Sequence, residues 1–201
     1  MSENNILGVI LAGGKSKRFG SDKSLAKLAG RQLIDHIILK IENNFNEILV
    51  ICNKKNLQTN TNKVFTTKDI INGHLGPLIG VLTAMNWIKE NKKSYNWIFT
   101  FPCDTPFFDK SIISEVKMKM SISDKKLFFI KSGNKRHNIF GLWSLELFDQ
   151  LKQDIEDGSR KVEDWADKIG KEIINIKEDN EYSFLNINSV DELFEAEKKI
   201  K

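Results

Sequence analysis

Near the start of the chain, a glycine-rich and basic stretch reads Ile10-Leu11-Ala12-Gly13-Gly14-Lys15-Ser16-Lys17-Arg18-Phe19-Gly20-Ser21-Asp22-Lys23. It follows an apolar run, Ile6–Leu11, that predicts a buried strand, and it precedes a helical pattern that begins at Gln32. Glycine lets a backbone turn sharply and approach a ligand, and N–H groups beside fixed positive charge attract anions. We therefore predict a loop that binds a polyphosphate. The alternative is a solvated loop whose lysines only keep the chain soluble.

Composition limits the class of protein. With 201 residues, 40% of them apolar and 29% charged, the chain fits one globular domain, residues 1–201. The net charge of +4 is too small and too scattered to indicate a nucleic-acid partner, and no apolar run is long enough to span a membrane. The N-terminus lacks a signal-peptide pattern, and the two cysteines, Cys52 and Cys103, indicate reduced thiols. We therefore expect a cytoplasmic protein.

Apolar runs alternate with helical patterns along the chain. Strand-like runs cover residues 6–11, 47–52, 64–66, 96–102, 127–131, 139–143 and 172–176. Helical patterns cover residues 32–45, 110–120 and 145–156, a stretch that follows the break at 158–161 and ends near 170, and the stretch after 189. Another helical pattern opens within residues 73–80 and ends near 91. This alternation predicts βαβ units and a mainly parallel sheet that is covered on both faces. In such sheets, ligands bind beyond the carboxyl ends of the strands.

Polar residues follow the apolar runs at the points where the runs end. The glycine-rich loop, Asn53, Asp69 and Asp104 each stand at or just past such an end, so we expect four strand ends to converge on one edge. Asp104 lies between Pro102 and Pro106, which hold its carboxylate rigidly where a metal could be bound. A nucleoside triphosphate brings Mg²⁺, which takes few protein carboxylates. The alternative is an aspartate that only binds the amides of its own turn.

Two basic residues of the first loop are candidates for binding phosphates. Lys23 offers a mobile ammonium group, and Arg18 offers a planar fork that suits bidentate phosphate contact. The alternative for each is a solvated surface charge. Asn53 could hydrogen-bond a base or a ribose, or it could simply end a strand. His137 has no partner at the spacing of a nucleophile–base pair, which indicates a structural role.

Several segments together resemble one known family. They are Leu11-Ala12-Gly13-Gly14 with Arg18, Gly20 and Asp22-Lys23, then Gly76-Pro77-Leu78-Ile79-Gly80-Val81, Pro102-Cys103-Asp104-Thr105-Pro106-Phe107, Gly158-Ser159-Arg160-Lys161-Val162 and Phe184-Leu185-Asn186-Ile187-Asn188-Ser189. In order and spacing they resemble the molybdenum cofactor guanylyltransferases, nucleotidyltransferases that join GMP to molybdopterin. The chain departs from the family at Asn138, where proline usually follows histidine, and at Ser189-Val190, which replaces Thr-Pro. The loop between Arg18 and Asp22 is also one residue shorter than in some relatives.

The resemblance implies a fold, a set of site residues and a set of partners. The fold is a three-layer α/β/α Rossmann-like nucleotidyltransferase fold with a mixed, mainly parallel central sheet. The residues implied to bind GTP are Leu11, Ala12, Gly13, Lys23, Asn53, Asp69 and Asp104. Asp104 would also hold Mg²⁺, and the catalytic set would be Lys23, Asp104 and Arg18. The residues implied to face molybdopterin are Arg18, Gly76, Arg160, Asn186 and Asn188. Candidate protein partners are one that delivers molybdopterin and a molybdoenzyme that accepts the product.

The reaction so implied is attack of the terminal phosphate of molybdopterin on the α-phosphorus of GTP, with release of pyrophosphate. A phosphate monoester has a second pKa of about 6 and is largely dianionic at neutral pH, so it needs no general base. A close rival is a nucleotidyltransferase that uses CTP on molybdopterin or a nucleoside triphosphate on a sugar phosphate. A rival from another class is a non-catalytic nucleotide-binding protein, which the presence of Lys23 and Asp104 disfavours.

Overall fold

Strands and helices alternate along the computed structural model, which describes residues 5–13, 26–52, 61–71, 76–177 and 182–199. The strands are β1 (Ile6–Leu11), β2 (Lys27–Leu28), β3 (Arg31–Gln32), β4 (Ile48–Ile51), β5 (Val64–Thr67), β6 (Trp97–Pro102), β7 (Leu127–Ser132), β8 (Lys135–Ser144) and β9 (Glu172–Ile176). The helices are α1 (Leu33–Ile41), α2 (Pro77–Glu90), α3 (Ser111–Ser121), α4 (Phe148–Glu156), α5 (Val162–Ile169) and α6 (Val190–Lys198). A short 3₁₀ helix, Leu145–Leu147, leads into α4.

A seven-stranded sheet runs through the centre of the described chain in the order β5-β4-β1-β6-β8-β7-β9. Every neighbouring pair is parallel except those made by β8, which runs antiparallel to both β6 and β7. Strands β1 and β4 are almost wholly buried, as continuous apolar runs in a parallel sheet should be. The mixed, mainly parallel sheet predicted from the sequence is confirmed.

Helices cover both faces of the sheet. On one face, α1 and α3 pack around Phe99 and Phe101, and on the other face α2, α4 and α5 pack around Trp143 and Trp165. The two tryptophan rings stack with their centroids 5.9 Å apart. This is the three-layer α/β/α fold that the resemblance implies. In the described part of the chain, no helix is both long enough and apolar enough to cross a membrane.

The structure differs from the sequence prediction in the region before β4. The predicted helix over residues 32–45 ends at Ile41, because Asn43 and Asn44 favour turns over a helix interior. Phe45 lies beyond the end of the helix and packs over β1. A Cβ atom on Gly8 would lie 3.0 Å from the Phe45 ring. The paired strands β2 and β3, which precede α1, are absent from the prediction.

Candidate active site

The carboxyl ends of four neighbouring parallel strands meet at one edge of the sheet. Strands β5, β4, β1 and β6 are adjacent and share one direction. Gly13 stands two residues past β1, Asp69 two residues past β5 and Asp104 two residues past β6. The strand order therefore brings these three residues to the same edge, as the sequence predicts. Asn53, predicted for the end of β4, lies outside the described residues.

Gly13 passes close to the carboxylate of Asp69. A Cβ atom on Gly13 would lie 3.3 Å from Asp69 Oδ2, so a larger residue would push the two segments apart. The turn after Asp69 is tied to α2, because Ile70 N donates to Thr83 Oγ1 at 3.1 Å and Thr83 Oγ1 donates to Ile79 O at 2.7 Å. This bonding holds the Asp69 carboxylate beside the backbone where the glycine-rich loop begins.

Gly80, in the first turns of α2, leaves space for the side chain of Leu11. A Cβ atom on Gly80 would lie 2.9 Å from Leu11 Cδ2 and 3.9 Å from Asp69 Oδ1. A glycine inside a helix costs about 1 kcal/mol relative to alanine, so its presence here needs a packing reason. That reason is the close approach of α2 to Leu11 and Asp69 at the edge of the sheet.

Asp104 is joined to a segment that lies far away in the sequence. Its backbone O accepts a hydrogen bond from Ile187 N at 2.8 Å. The hydroxyl of the next residue, Thr105, lies 2.6 Å from Asn186 Oδ1 and 3.1 Å from Asp104 Oδ1. Thr105 is buried, whereas Asn186 is exposed and Asp104 is half-buried. Asp104 and Asn186, which are 82 positions apart in the sequence (186 − 104), therefore lie close together in the structure.

A buried aromatic cluster holds this distant segment against the sheet. The ring of Phe184 stacks on the ring of His137, with centroids 4.0 Å apart and planes 29° apart, and meets Phe140 edge-on at 5.4 Å. His137 Nε2 also hydrogen-bonds the Ser132 hydroxyl at 2.7 Å. His137 is therefore packed as a structural residue, as expected from the sequence.

Gly76 and Arg160 meet at the start of α2. Gly76 has a φ of +98°, a conformation that favours glycine, and a Cβ atom there would lie 3.1 Å from the backbone O of Arg160. Arg160 Nη1 donates to Ile155 O at 2.6 Å and to Ser159 O at 2.7 Å. Arg160 thus donates hydrogen bonds to carbonyl groups at the end of α4, and its backbone lies beside the start of α2.

A buried aspartate fixes the α4–α5 turn that carries Arg160. Asp154 Oδ2 accepts from Trp165 Nε1 at 2.8 Å, and its Oδ1 accepts from Lys168 Nζ at 2.6 Å. Burial acts to raise the pKa of Asp154, but hydrogen bonds from Lys168, Gln150 and Trp165 outweigh it and hold the pKa below its usual value. The carboxylate is therefore an ionised link between the two helices.

Comparison with known proteins agrees with the arrangement of the edge. The model of the MobA-like NTP transferase domain matches residues 8–171, a range that includes most of β1 as well as Asp69, Asp104 and Arg160. The chain belongs to the MobA-like NTP transferase domain family. It is 30% identical over 189 residues to a molybdenum cofactor guanylyltransferase of Haemophilus influenzae, with 94% of this chain and 95% of that protein covered.

Other relatives give the same result for this MobA-like NTP transferase. It is 29% identical over 184 residues to a molybdenum cofactor guanylyltransferase of Shewanella pealeana, covering 90% of this chain and 88% of that protein. Its fold is similar to that of molybdopterin-guanine dinucleotide biosynthesis protein A from Archaeoglobus fulgidus, with a TM-score of 0.77 and 18% identity over 96% of this chain and 98% of the other. The latter likeness concerns the fold alone.

The described residues that the sequence predicts for the site of this MobA-like NTP transferase fall into three groups. Leu11, Ala12, Gly13 and Asp69 lie at the β1–β5 side of the edge, Asp104 and Asn186 lie beyond β6, and Gly76 borders Arg160. Asn188 lies at the start of α6, where its backbone N donates to Glu192 Oε2. Lys23 and Arg18 lie outside the described residues.

The donor set at this edge fits a divalent cation that arrives with a nucleotide. Among the residues that the structure describes, no three His, Cys, Asp or Glu side chains form a group able to hold a metal ion. Mg²⁺ prefers oxygen ligands and usually keeps one or two protein carboxylates beside phosphate oxygens and waters. The half-buried carboxylate of Asp104 meets that requirement.

Gly80 and Thr105 lie at the candidate site, although the sequence predicts no role for either residue. Gly80 carried a signal, because an isolated glycine in an apolar helical pattern usually has a packing reason. Thr105 carried none, because its contact with Asn186 depends on the path of a segment that shows no periodic pattern.

Proposed function

We propose that this protein transfers GMP from GTP to the terminal phosphate of molybdopterin and releases pyrophosphate. The observation that carries the proposal is the junction of Asp104 with the segment of Asn186 at the carboxyl edge of the sheet. In this proposal, the Asp104 carboxylate binds a cation and the neighbouring Asn186 amide binds the second substrate. The family of the chain and the names of its relatives support the same reaction.

Two groups of residues divide the work in this proposal. Leu11, Ala12, Gly13, Asn53 and Asp69 bind the nucleotide at the β1–β5 side. Lys23 and Arg18 neutralise the phosphates, and Arg18 also faces molybdopterin. That second group consists of Arg18, Gly76, Arg160, Asn186 and Asn188. Asp104 belongs to the nucleotide side and stands where the two groups meet.

The chemistry requires charge neutralisation and alignment rather than proton abstraction. An oxygen of the molybdopterin phosphate forms a bond to the α-phosphorus of GTP, and the bond from that phosphorus to the α,β-bridging oxygen breaks. The electron pair of the broken bond leaves with pyrophosphate. Because the attacking phosphate is already largely dianionic at neutral pH, no side chain needs to remove a proton. Positive charge and correctly aimed donors stabilise the charge that develops on the phosphate oxygens.

Mg²⁺ is the cofactor in this proposal, and Asp104 is the residue that would hold it. When bound, it supplies electrophilic stabilisation of the reacting phosphates. The protein contributes the fixed carboxylate, which the backbone bond from Ile187 N to Asp104 O and the Thr105 hydroxyl hold in place. A protein that delivers molybdopterin and a molybdoenzyme that accepts the product are the proposed protein partners.

Two rival functions share parts of this site. CTP transfer to molybdopterin, or nucleotidyl transfer to a sugar phosphate, would use the same carboxylate and the same edge. A nucleotide-binding protein without catalysis would keep the edge but would have no need for an acidic residue held rigidly beyond β6. The guanine base is favoured by the resemblance of the Leu11–Gly14 and Pro102–Phe107 segments to those of the guanylyltransferases.

The direct test is a nucleotide panel. The purified protein is incubated with Mg²⁺ and molybdopterin and with GTP, CTP, ATP or UTP, and the dinucleotide and pyrophosphate are quantified by chromatography. We expect molybdopterin guanine dinucleotide with one pyrophosphate for each dinucleotide formed. Equal kcat/KM for CTP and GTP would remove the guanylyl assignment, and the absence of any dinucleotide would support the non-catalytic rival.

A further inference from the structure

One buried hydroxyl lies between the two halves of the site. Thr105 Oγ1 is 3.1 Å from Asp104 Oδ1 and 2.6 Å from Asn186 Oδ1, and the residue is 1% exposed. A threonine hydroxyl has a single proton, whereas both of its neighbours here are acceptor oxygens. The two oxygens therefore compete for that proton, and the shorter contact is the one to Asn186.

The competition determines what each neighbour can offer. Donation to Asn186 Oδ1 fixes the orientation of the side-chain amide, so that its NH₂ group points away from Thr105. An amide held in this way presents donors, which suit an anionic or carbonyl-rich substrate. The longer contact, 3.1 Å from the hydroxyl to Asp104 Oδ1, restricts the rotation of the carboxylate that would bind the cation.

A second bond makes the junction rigid enough for such coupling. Ile187 N donates to the backbone O of Asp104 at 2.8 Å, directly beside the Thr105–Asn186 contact. Phe184, stacked on His137 at 4.0 Å, anchors the same segment from its other end. Contacts on both sides therefore hold the backbone of Asn186 beside Thr105.

We propose that Thr105 is a positioning residue that couples the Asp104 carboxylate to the Asn186 amide. Through one shared proton, the cation side and the second-substrate side of the site are oriented together. This inference rests on the proposed function for the identity of the second substrate, molybdopterin. The part that concerns cation binding can be tested with GTP and a metal ion alone.

The experiment compares Thr105→Val, which removes the hydroxyl at nearly constant volume, with Thr105→Ser, which keeps it. Binding of Mn²⁺ in the presence of GTP is measured by electron paramagnetic resonance, and the KM for molybdopterin is measured separately from kcat. Loss of one charge-assisted hydrogen bond corresponds to about a tenfold weakening. We expect Thr105→Val to raise both the Mn²⁺ dissociation constant and the KM for molybdopterin by about tenfold. Thr105→Ser should stay within about twofold of the wild type.

Thr100→Val is the matched control. Thr100 is also fully buried, and its hydroxyl donates to Ile139 O at 2.6 Å and accepts from Trp143 Nε1 at 2.9 Å, away from Asp104. Its loss should lower the melting temperature without changing Mn²⁺ affinity. If Thr105→Ser proves as defective as Thr105→Val, the packing of the methyl group is responsible and the proposal is wrong.

A second variant keeps the test decisive if Thr105→Val fails to fold. Asn186 is exposed, so Asn186→Ala should leave the fold intact. Removal of its amide leaves the hydroxyl to donate to Asp104 alone, which orients the carboxylate more firmly, so we expect the Mn²⁺ dissociation constant to fall by about threefold. An unchanged Mn²⁺ affinity in Asn186→Ala would overturn the coupling. If the wild-type protein binds Mn²⁺ and GTP but forms no dinucleotide, the proposed function is wrong. The Mn²⁺ binding measurements then still test the role of Thr105.

Discussion

At the scale of single residues, the most direct chemical role in our proposal belongs to Asp104. It lies two residues past β6, with its backbone bonded to Ile187 and its side chain beside Thr105. An amide in place of the carboxylate keeps the shape but removes the negative charge. We expect Asp104→Asn to reduce kcat by at least about a hundredfold, because electrostatic groups at the reacting centre are worth that much.

The control for this substitution is Asp149→Asn. Asp149 lies in α4 with a side chain that is 90% exposed, so the same chemical change there should leave the rate unchanged. Circular dichroism and the melting temperature should show both variants folded. A folded Asp104→Asn protein that turns over at the wild-type rate with Mg²⁺ would show that the cation is held elsewhere.

Gly80 gives a second prediction at this scale. A methyl group on Gly80 would lie 2.9 Å from Leu11 Cδ2, at the flexible end of that side chain, so Leu11 should shift toward the nucleotide. We expect Gly80→Ala to raise the KM for GTP by about tenfold, with the melting temperature nearly unchanged because alanine favours the helix. In a Leu11→Ala background, where the overlap is absent, Gly80→Ala should add nothing. A full effect of Gly80→Ala in that background would disprove the steric explanation.

A residue's role could be predicted from the sequence where a strand positions that residue, but not where tertiary packing does. Asp69 and Asp104 directly follow apolar runs, so the rule for parallel strands was enough to bring them together. Thr105 could not be predicted, because its partner Asn186 is positioned by the packing of Phe184 on His137.

At the scale of elements, the α4–α5 turn depends on one ionised carboxylate. Asp154 is 3% exposed and links the two helices through Trp165 and Lys168. Hydrogen bonds to a charged group are worth about 1.5–3 kcal/mol. We expect Asp154→Asn to lower the free energy of unfolding by about 2 kcal/mol at pH 7, measured by urea denaturation.

The pH dependence of this loss follows from the direction of the pKa shift. Because the folded-state pKa of Asp154 lies below the ordinary value of 3.8, its stabilisation is complete above that value and is lost as the pH falls through the folded-state pKa. The difference between wild type and Asp154→Asn should therefore shrink below about pH 4. Asp157→Asn, at the exposed end of the same helix, should show little difference at either pH. A loss that is equal at pH 7 and at pH 3 would mean that the ionised form is not what stabilises the turn.

The elements themselves were predictable where their patterns were long and apolar. Strands β1 and β9 have the predicted bounds, and α2 begins at Pro77 as the proline indicates. The β2–β3 pair could not be predicted, because two-residue strands are too short to show alternation. β8 begins at Lys135, before the predicted 139, because the turn at Gly133, with a φ of +52°, lets polar residues join the ladder.

At the scale of the whole molecule, the sheet order sets two halves of a site side by side. The β1–β5 side holds the residues proposed for GTP, and the side beyond β6 holds Asn186. Arg160 arrives on the α4–α5 turn, beside Gly76. The strand order brings Asp69 and Asp104 to one edge, and Asn186 joins them through Thr105. The division into a nucleotide side and a molybdopterin side is what the family resemblance implies.

The two halves can be separated by substitution. We expect Arg160→Ala to raise the KM for molybdopterin by about ten- to a hundredfold, because a charge-assisted contact is lost. Lys23→Ala should instead weaken GTP binding, measured by calorimetry. Lys161→Ala is the matched control for Arg160, since this neighbouring cation has a side chain that is 80% exposed and should be neutral.

One result would contradict the division into two halves. Arg160 also donates to Ile155 O and Ser159 O, so Arg160→Ala is expected to lower the melting temperature as well. Its GTP affinity should nevertheless stay at the wild-type value. A loss of GTP affinity as large as that of Lys23→Ala, with the molybdopterin dependence unchanged, would place Arg160 on the nucleotide side.

The central claim is that the α-phosphate of GTP moves to molybdopterin, and the fate of a radiolabel tests it most directly. The protein is incubated with Mg²⁺, molybdopterin and GTP labelled at either the α- or the γ-phosphate, and the products are separated by chromatography. We expect the α label in the dinucleotide and the γ label in pyrophosphate, and we expect both products to form at least about a hundredfold more slowly with Asp104→Asn. A γ label in the pterin product, or no transfer of either label by the folded wild-type protein, would contradict the claim.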